Sequence, residues 1–131
     1  MKNKQTLPLV RLTPFRQEII KILTQSDDPL SIKELVQVSP LLSKVNKTTL
    51  YRNLELLINK GIVCAVMVNA NATCYELASL AHHHHAVCTE CHKVMDVPCP
   101  QNLQHSPQTQ ANGFQTSDMD IIYHGLCAKC Q

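Results

Sequence analysis

Two pairs of cysteines with the same spacing carry the clearest chemistry in this sequence. Both have the form Cys-x-x-Cys, the first at Cys88 and Cys91 and the second at Cys127 and Cys130. Two intervening residues let both thiolates of a turn face one ion, and two such turns complete a tetrahedral shell suited to zinc. Because four thiolates leave no open coordination position, we predict a structural zinc site. A redox dithiol and four unrelated thiols are the alternatives, but a redox motif does not require a second pair.

Four consecutive histidines stand shortly before the first cysteine pair, at positions 82–85. On a β-strand, alternation places His83 and His85 on one face and the other two on the opposite face. Two imidazoles on one face form half of a metal site, and Asp96 lies on a strand expected to return to the same place. A solvated loop, or an adventitious site for nickel or copper, is the alternative. The sequence assigns no role to His82, His84, His92 and Cys99.

Further candidate ligands lie on a predicted hairpin that precedes the histidines. Cys74 and Glu76 share a face of one strand, and Cys64 is nearly opposite Cys74 on the other. For Cys64, a ligand and a small buried hydrophobic residue are both open roles. An ion held by these groups and the histidines would join the hairpin to the C-terminal half and fix the angle between them. Such a site is a mechanism for a switch.

Length, charge and cysteine content bound the class of protein. The 131 residues could form one domain or two small ones, and a structural metal would help small domains to fold. The sequence shows neither a signal peptide nor a membrane-spanning stretch, so we expect a cytoplasmic protein in which seven cysteines favour metal binding over disulfides. Ten basic and five acidic residues occur up to Lys60, against two and five beyond it. A basic N-terminal half suits a polyanionic partner, although an ordinary solvated surface is equally compatible with charge alone.

Three helical patterns come first along the chain. Thr13 and Pro14 begin the first helix, whose apolar stripe consists of Ile19, Ile20, Ile22 and Leu23. Ser31 and Glu34 form the capping-box pattern of a second, short helix, which ends at Ser39-Pro40. Residues 41–46 are predicted to be a linker. The third helix runs from Asn46 to about Lys60, with Leu50, Leu54, Leu57 and Ile58 facing a core and Gly61 ending it.

Strand patterns follow. Ile62–Val68 and Thr73–Leu77, separated by four small or polar residues, predict the hairpin. A strand through the histidines to Val87 and a returning strand at 93–97 flank the first cysteine pair. Residues 98–112 are compatible only with a weak helix, and Phe114–Tyr123 predicts another strand. The fold class is therefore α+β, with domains at 1–78 and 79–131.

Three helices followed by a hairpin are the order of a winged helix-turn-helix, in which the third helix enters the major groove of DNA. Its exposed face carries side chains that suit bases and phosphates, namely Lys47, Thr48, Thr49, Tyr51 and Arg52. Arg16 on the first helix is a further candidate for DNA contact. The alternative is the plain polar face of a surface helix, since such successions of helices also occur in proteins that bind no DNA.

The chain resembles the ferric uptake regulator superfamily of bacterial metal-dependent repressors. The resemblance covers about residues 11–130 and rests on the segments 11–16, 48–52 and 61–63, the histidine run with its cysteine pair, and His124-Gly-Leu-Cys-x-x-Cys130. It implies an N-terminal winged helix, a C-terminal α/β dimerisation domain with a four-cysteine zinc site, and a sensory site at the hinge.

Carried over residue by residue, the resemblance implies that Tyr51 and Arg52 contact DNA. It implies sensory roles for His83, His85, Asp96 and Glu76, and it places Cys64 and Cys74 close to zinc ligands of some zinc uptake regulators. Two departures stand out. The auxiliary histidine and acidic site of many members is absent, with Leu103 and Met119 near its positions and His84 where an aspartate is common, and Pro29 stands where iron-type members often have a hinge histidine.

We therefore expect a homodimeric, zinc-responsive repressor of the zinc uptake regulator type that binds a double-stranded operator and controls metal uptake genes. The expected ions are a structural Zn²⁺ and a second, regulatory ion, with Zn²⁺ favoured over Fe²⁺ or Mn²⁺ because thiolates are soft ligands. An iron- or peroxide-responsive regulator is the alternative within the superfamily. A redox enzyme or a metal carrier is the alternative outside it, but the closed thiolate shell offers no catalytic position. We therefore expect no enzyme activity.

Overall fold

The computed structural model describes residues 11–69, 72–99, 113 and 120–131. They divide into two compact units, one up to Leu80 and the other from Ala81 onward. The ranges predicted from sequence were 1–78 and 79–131. No helix in the described part of the chain is long and apolar enough to cross a membrane.

The first helix, α1 (Pro14–Gln25), begins at the predicted N-cap. The Thr13 hydroxyl accepts a hydrogen bond from the Arg16 backbone N–H at 3.4 Å, and proline occupies the first helical position. Ile19 and Leu23 are buried. After a two-residue strand, β1 (Leu30–Ser31), the predicted capping box between Ser31 and Glu34 opens α2 (Ile32–Val38).

Two short elements in this region were not predicted. The predicted linker contains a one-turn helix, α3 (Pro40–Ser43), because Ser39 and Pro40 end α2 and at the same time cap and start the next turn. The Ser39 hydroxyl accepts a hydrogen bond from the Leu42 N–H at 3.1 Å. The short β1 strand was not predicted either.

The third predicted helix is α4 (Lys47–Asn59), capped by Asn46, whose side-chain oxygen accepts from the Thr49 N–H at 2.8 Å. One face packs into the core of the first unit through Leu50, Leu54 and Leu57, as predicted. Gly61 follows with φ of +73°, a left-handed conformation in which a side chain would be strained.

The hairpin after α4 consists of β2 (Val63–Asn69) and β3 (Ala72–Leu77). Each strand reaches one residue further toward the turn than predicted, and β2 begins one residue later. With β1 these strands form an antiparallel sheet in the order β1-β3-β2. Val63 and Tyr75 of this sheet join the helical core. The order of helices followed by a hairpin confirms the α+β fold class. The exposed face of α4 lies opposite its buried leucines.

The second unit contains a separate sheet in the order β5-β4-β6. Its strands are β4 (His83–Cys88), β5 (Val94–Pro98) and β6 (Ile122–Gly125). β4 pairs antiparallel with β5 and parallel with β6. The helix predicted within residues 98–112 lies almost entirely outside the described residues, as do positions 114–119 of the predicted strand, whose described end belongs to β6.

Candidate metal centres and nucleic-acid interface

The sheet of the second unit brings the two cysteine pairs together. Cys88 is the last residue of β4, and Cys91 lies in the turn that leads to β5. Parallel pairing sets Cys88 beside Gly125 at the end of β6, two residues before Cys127. The four cysteines thus lie at one end of the sheet although 35 residues separate the two pairs in sequence.

The sulfur positions match a tetrahedral site. All four Sγ atoms lie within 4.8 Å of one another, and Cys91 Sγ is 3.7 Å from Cys127 Sγ. Zinc–sulfur bonds of about 2.3 Å place the sulfurs of a tetrahedron about 3.8 Å apart. The backbone N–H of Cys127 also donates to Cys88 Sγ at 3.4 Å. All seven cysteines are within the described residues, and all are thiols.

The protonation of these thiols also points to a cation. Backbone N–H groups of Cys127 and Cys91 lower the pKa of Cys88 to about 6. Sharing hydrogen bonds with the sulfurs of Cys127 and Cys88 raises the pKa of Cys130 to about 12. Four crowded sulfurs therefore share protons, and all four ionise together only when a cation neutralises them. The donor set and its spacing fit a structural zinc ion with no open position.

A second cluster lies on one face of the β4–β5 pair. His85 is directly opposite Asp96 in the ladder, and His83 is two residues away on the same face. Asp96 Oδ1 is 3.4 Å from His83 Nε2 and 3.5 Å from His85 Nε2. His85 and the Asp96 oxygen are buried, whereas His83 is half-buried.

The hydrogen bonds of His83 determine which of its nitrogens can bind an ion. His83 Nδ1 is 2.7 Å from the carbonyl oxygen of Ala81. A carbonyl only accepts hydrogen bonds, so Nδ1 carries a proton, and in the neutral ring Nε2 presents its lone pair toward Asp96. A carbonyl on the outer nitrogen is the usual support of a metal-binding histidine. Lone pairs that converge on one point repel one another unless a positive charge lies between them.

The three hairpin candidates lie in the first unit. Glu76 on β3 is 8% exposed and is directly opposite Cys64 on β2, while Cys74 is opposite Val66. Cys64 is thus diagonal to Cys74, and it is exposed, which contradicts the buried hydrophobic role that the sequence left open for it. Burial raises the pKa of Cys74 to about 11, with further contributions from Glu34 and Glu76.

The candidate DNA-contact residues form the outer side of α4. Four are exposed and Thr49 is half-buried, the four being Lys47, Thr48, Tyr51 and Arg52. Arg16, the sixth candidate, has a visible structural contact. Its Nε–H donates to Asn53 Oδ1 at 3.1 Å and thereby links α1 to α4. No pattern in the sequence predicted this link.

Two residues without a predicted role occupy defined positions. His84 is fully buried, and desolvation together with the neighbouring His82 lowers its pKa despite the opposing effect of Asp120. Cys99 Sγ lies 3.1 Å from His84 Nε2. Strand alternation puts His82 and His84 on one face. The register of β4 with β5, continued by one residue, sets Cys99 opposite His82 and diagonal to His84. Leu103 and Met119, named for a missing auxiliary site, are outside the described residues.

Comparison with known proteins agrees with these features. The model of the ferric uptake regulator family matches residues 9–124. A ferric uptake regulation protein of Synechococcus elongatus is 30% identical over 128 residues, covering 92% of this chain and 86% of that protein. A peroxide-responsive repressor PerR of Staphylococcus saprophyticus is also 30% identical over 128 residues, covering 93% and 83%.

Solved structures show the same fold. The ferric uptake regulator of Francisella tularensis, determined with iron, has a TM-score of 0.77 and 22% identity. The matched region covers 92% of this chain and 94% of that one. At this identity the similarity concerns the fold alone.

Proposed function

Because the chain belongs to the ferric uptake regulator family, whose members are transcription regulators and not enzymes, we propose that it is a cytoplasmic, zinc-responsive repressor. In this proposal it is a homodimer that binds a double-stranded operator and controls genes of metal uptake. Its four-cysteine site holds the second unit together, and a separate site senses the ion.

The convergence of His83, His85 and Asp96 carries the proposal. Three ligand atoms within 4.8 Å of one another, one of them a buried carboxylate oxygen, favour a divalent cation. The Ala81 carbonyl orients His83 for this role. In contrast to the four-cysteine shell, this triad needs at least one more ligand, so its occupancy can follow the concentration of the ion.

We propose that the hairpin supplies the remaining ligand through Cys74 or Glu76. The family resemblance supports both residues as ligands. Cys64, which is opposite Glu76 in the β2–β3 ladder, is a further candidate. A thiolate in the shell would favour zinc over iron or manganese. Ligands drawn from both units would restrict the angle between the DNA-binding unit and the rest of the chain, so that α4 of each protomer reaches its half-site.

On the DNA, Arg52 is proposed to pair with a base or a phosphate, and Tyr51 to contact a thymine methyl group. Lys47, Thr48 and Thr49, at the N-terminal end of α4, are suited to phosphates. In such dimers the two half-sites lie about one helical turn apart. Arg16 is proposed to hold α4 in place as well, through its contact with Asn53.

An iron- or peroxide-responsive regulator is the second candidate, and one observation favours it. The triad in the second unit consists of nitrogen and oxygen ligands, which also suit iron and manganese. With Glu76 as the next ligand the shell would contain no sulfur. The names of the two similar proteins, an iron regulator and a peroxide-responsive repressor, belong to this class.

Operator binding under metal buffering tests the proposal. The measurement is the affinity of the purified dimer for the region upstream of its own gene and of a zinc-transporter gene, with zinc chelated and at micromolar concentration. We expect tight binding only with zinc. An unchanged affinity for both regions would rule out a zinc sensor, and a response to iron or manganese but not zinc would favour the second candidate.

Two hairpin variants separate the candidates further. If Cys74 completes the shell, Cys74→Ser weakens the response to zinc, whereas Glu76→Gln leaves this response unchanged. If Glu76 completes the shell, the effects are reversed and iron or manganese activates DNA binding. Cys64→Ser tests the third hairpin candidate, and a weakened response to zinc in this variant alone would assign the ligand to Cys64.

A further inference from the structure

Polar contacts join the start of α1 to the first two turns of α4, and Arg16 is at their centre. Its Nη1 donates to the Arg11 carbonyl at 2.7 Å, and its Nε–H donates to Asn53 Oδ1 at 3.1 Å. The Asn53 amide in turn donates from Nδ2 to the Thr49 carbonyl at 2.8 Å. We call these three bonds the Arg16 bridge. All of its residues belong to the first unit.

Asn53 is suited to the middle of this bridge because its amide both accepts and donates. A guanidinium only donates and a backbone carbonyl only accepts, so Oδ1 must face Arg16 and Nδ2 must face Thr49. The opposite orientation of the amide would break both bonds. The half-buried asparagine is therefore held in one orientation, in which each of its two contacts supports the other.

The bridge also limits what else Arg16 can contact. An arginine binds a phosphate most strongly through two parallel N–H donors, taken either from Nε and Nη2 or from Nη1 and Nη2. Asn53 occupies the Nε donor, and the Arg11 carbonyl occupies a donor of Nη1. Each edge of the guanidinium has thus given up a donor, which disfavours a bidentate contact with DNA while the bridge is closed.

Hydrogen bonds add direction to a contact that is otherwise apolar. α4 packs on the core through Leu50, Leu54 and Leu57, and apolar burial is not directional. Hydrogen bonds weaken steeply away from their preferred angles, so the bridge opposes rotation of α4 about its own axis. In the proposed complex, such a rotation would carry the exposed side chains of Tyr51 and Arg52 away from the base edges.

We propose that Asn53 is a positioning residue for operator recognition, and that Arg16 contributes to recognition through this amide. The bridge holds the first two turns of α4 at the angle that brings Tyr51 and Arg52 to the DNA. This inference rests on the proposed function, because it requires an operator. It adds a residue whose side chain touches no base or phosphate and yet determines how well its neighbours do.

A double-mutant cycle on operator affinity tests the inference. The full-length dimer with micromolar zinc is compared with Asn53→Ala, Arg16→Ala and the double variant, by fluorescence anisotropy on operator and scrambled duplexes. We expect each single change to weaken specific binding at least about fivefold. The double variant should be no weaker than Arg16→Ala, because either change opens the same bridge. Additive losses would overturn the proposal.

The salt dependence of operator binding separates positioning from direct contact. Removing a residue that neutralises one phosphate reduces the slope of log affinity against log salt by about 0.9. Asn53 is uncharged, so Asn53→Ala should weaken specific binding with an unchanged slope. Arg16→Lys keeps the charge but not the two diverging N–H directions, and it should also lose affinity. Normal affinity in Arg16→Lys would show that only the charge matters and would refute the bridge.

Two control variants address stability and charge. Ser39→Ala removes the hydrogen bond that joins the start of α3 to Glu18 of α1, and it should lower stability but keep the ratio of specific to non-specific affinity. Lys21→Ala removes an exposed charge of α1 and should also keep this ratio. An equal loss of the ratio in Ser39→Ala and Asn53→Ala would assign the effect to stability and overturn the positioning role.

Hydrogen exchange of the Arg16 Nε–H, followed by nitrogen-15 NMR, tests the bridge without DNA. We expect this proton to exchange at least about tenfold faster in Asn53→Ala than in the wild-type protein. Equal rates would show that the bridge does not form in solution. Absent operator binding in the wild-type protein would count against the proposed function, whereas normal operator binding in Asn53→Ala would count against the positioning role alone.

Discussion

At the scale of single residues, the proton on each histidine decides what its ring can do. His83 donates from Nδ1 to a carbonyl, so in the neutral ring its Nε2 lone pair faces the Asp96 carboxylate. His84, its neighbour, accepts at Nδ1 from a backbone N–H, so its Nε2 carries a proton in the state described. Adjacent histidines on opposite faces of one strand thus differ in their readiness to bind an ion.

Asp96→Asn tests the charge in the sensory triad. The amide has the same shape, so we expect the fold to persist while zinc affinity at the triad falls at least about tenfold, comparable to the loss of a supporting metal-site partner. Competition with a chromophoric chelator measures the affinity. Glu90→Gln, which neutralises an exposed carboxylate of the same unit, is the control, and equal affinities in the two variants would contradict the assignment.

At the scale of elements, short polar contacts determine where helices begin and how α4 is held. The buried Ser39 accepts from the Leu42 N–H and donates to Glu18 at 3.2 Å, which joins α1 to α3. Arg16 links α1 to α4 through Asn53. These contacts surround the leucine core and leave the outer side of α4 exposed.

Ser39→Ala should lower the free energy of unfolding of the first unit by about 1–2 kcal/mol, because it removes a helix cap and leaves a buried N–H without its acceptor. Ser43→Ala at the other end of α3 alters an exposed hydroxyl that donates to the Pro40 carbonyl. Its effect should be within about 0.5 kcal/mol. Urea unfolding followed by helical circular dichroism compares the two variants, and equal losses would contradict the capping role.

Arg52→Ala tests the DNA-contact side of α4. Loss of a bidentate contact to a base costs about 1–3 kcal/mol, or about 5- to 150-fold in specific affinity. Lys60→Ala removes the same charge at the C-terminal end of the helix and should reduce affinity less and without regard to sequence. Fluorescence anisotropy on specific and scrambled duplexes distinguishes these effects. A uniform loss in both variants would indicate that Arg52 contacts only phosphates.

At the scale of the whole molecule, the proposed function places the structural ion and the sensed ion at different sites. The four-cysteine site is complete within the second unit, whereas the sensory triad lacks a full shell there. Removal of a ligand should therefore have different consequences at the two sites.

Cys127→Ser should release the structural zinc and abolish either the dimer or the fold of the second unit. Binding of zinc by four thiolates contributes folding free energy on the order of 10 kcal/mol at neutral pH. Zinc content and size-exclusion chromatography measure the outcome. Cys64→Ser, the same change at an exposed thiol, should remain a zinc-containing dimer, and a Cys127→Ser protein that matches it would disprove the structural role.

His83→Ala should leave a folded dimer with its structural zinc but without metal-dependent operator binding. The ring is half-buried and is proposed to act as a ligand, so little stability should be lost. His124→Ala, at an exposed position of β6, is the control and should retain the response. Equal unfolding of His83→Ala and Cys127→Ser would mean that the two sites have been divided wrongly.

The sequence alone determined the features that depend on local spacing. Helix caps, the leucine face of α4 and the two faces of the histidine strand follow from periods of 3.6 and 2 residues and from side chains that bond nearby backbone. The four-cysteine set was also predicted, because its two turns carry their ligands locally. The α3 turn was missed because Ser39-Pro40 ends one helix and begins another.

Only the tertiary structure decided which distant groups meet. The register of β4 with β5 sets Asp96 against His85, and a register shifted by one residue would turn it to the other face. Parallel pairing of β4 with β6, the exposure of Cys64 and the approach of Cys99 to His84 likewise depend on long-range packing. Periodicity assigns a side chain to one face of a strand. Which strands become neighbours in a sheet depends on the free energy of the whole unit, which local spacing does not contain.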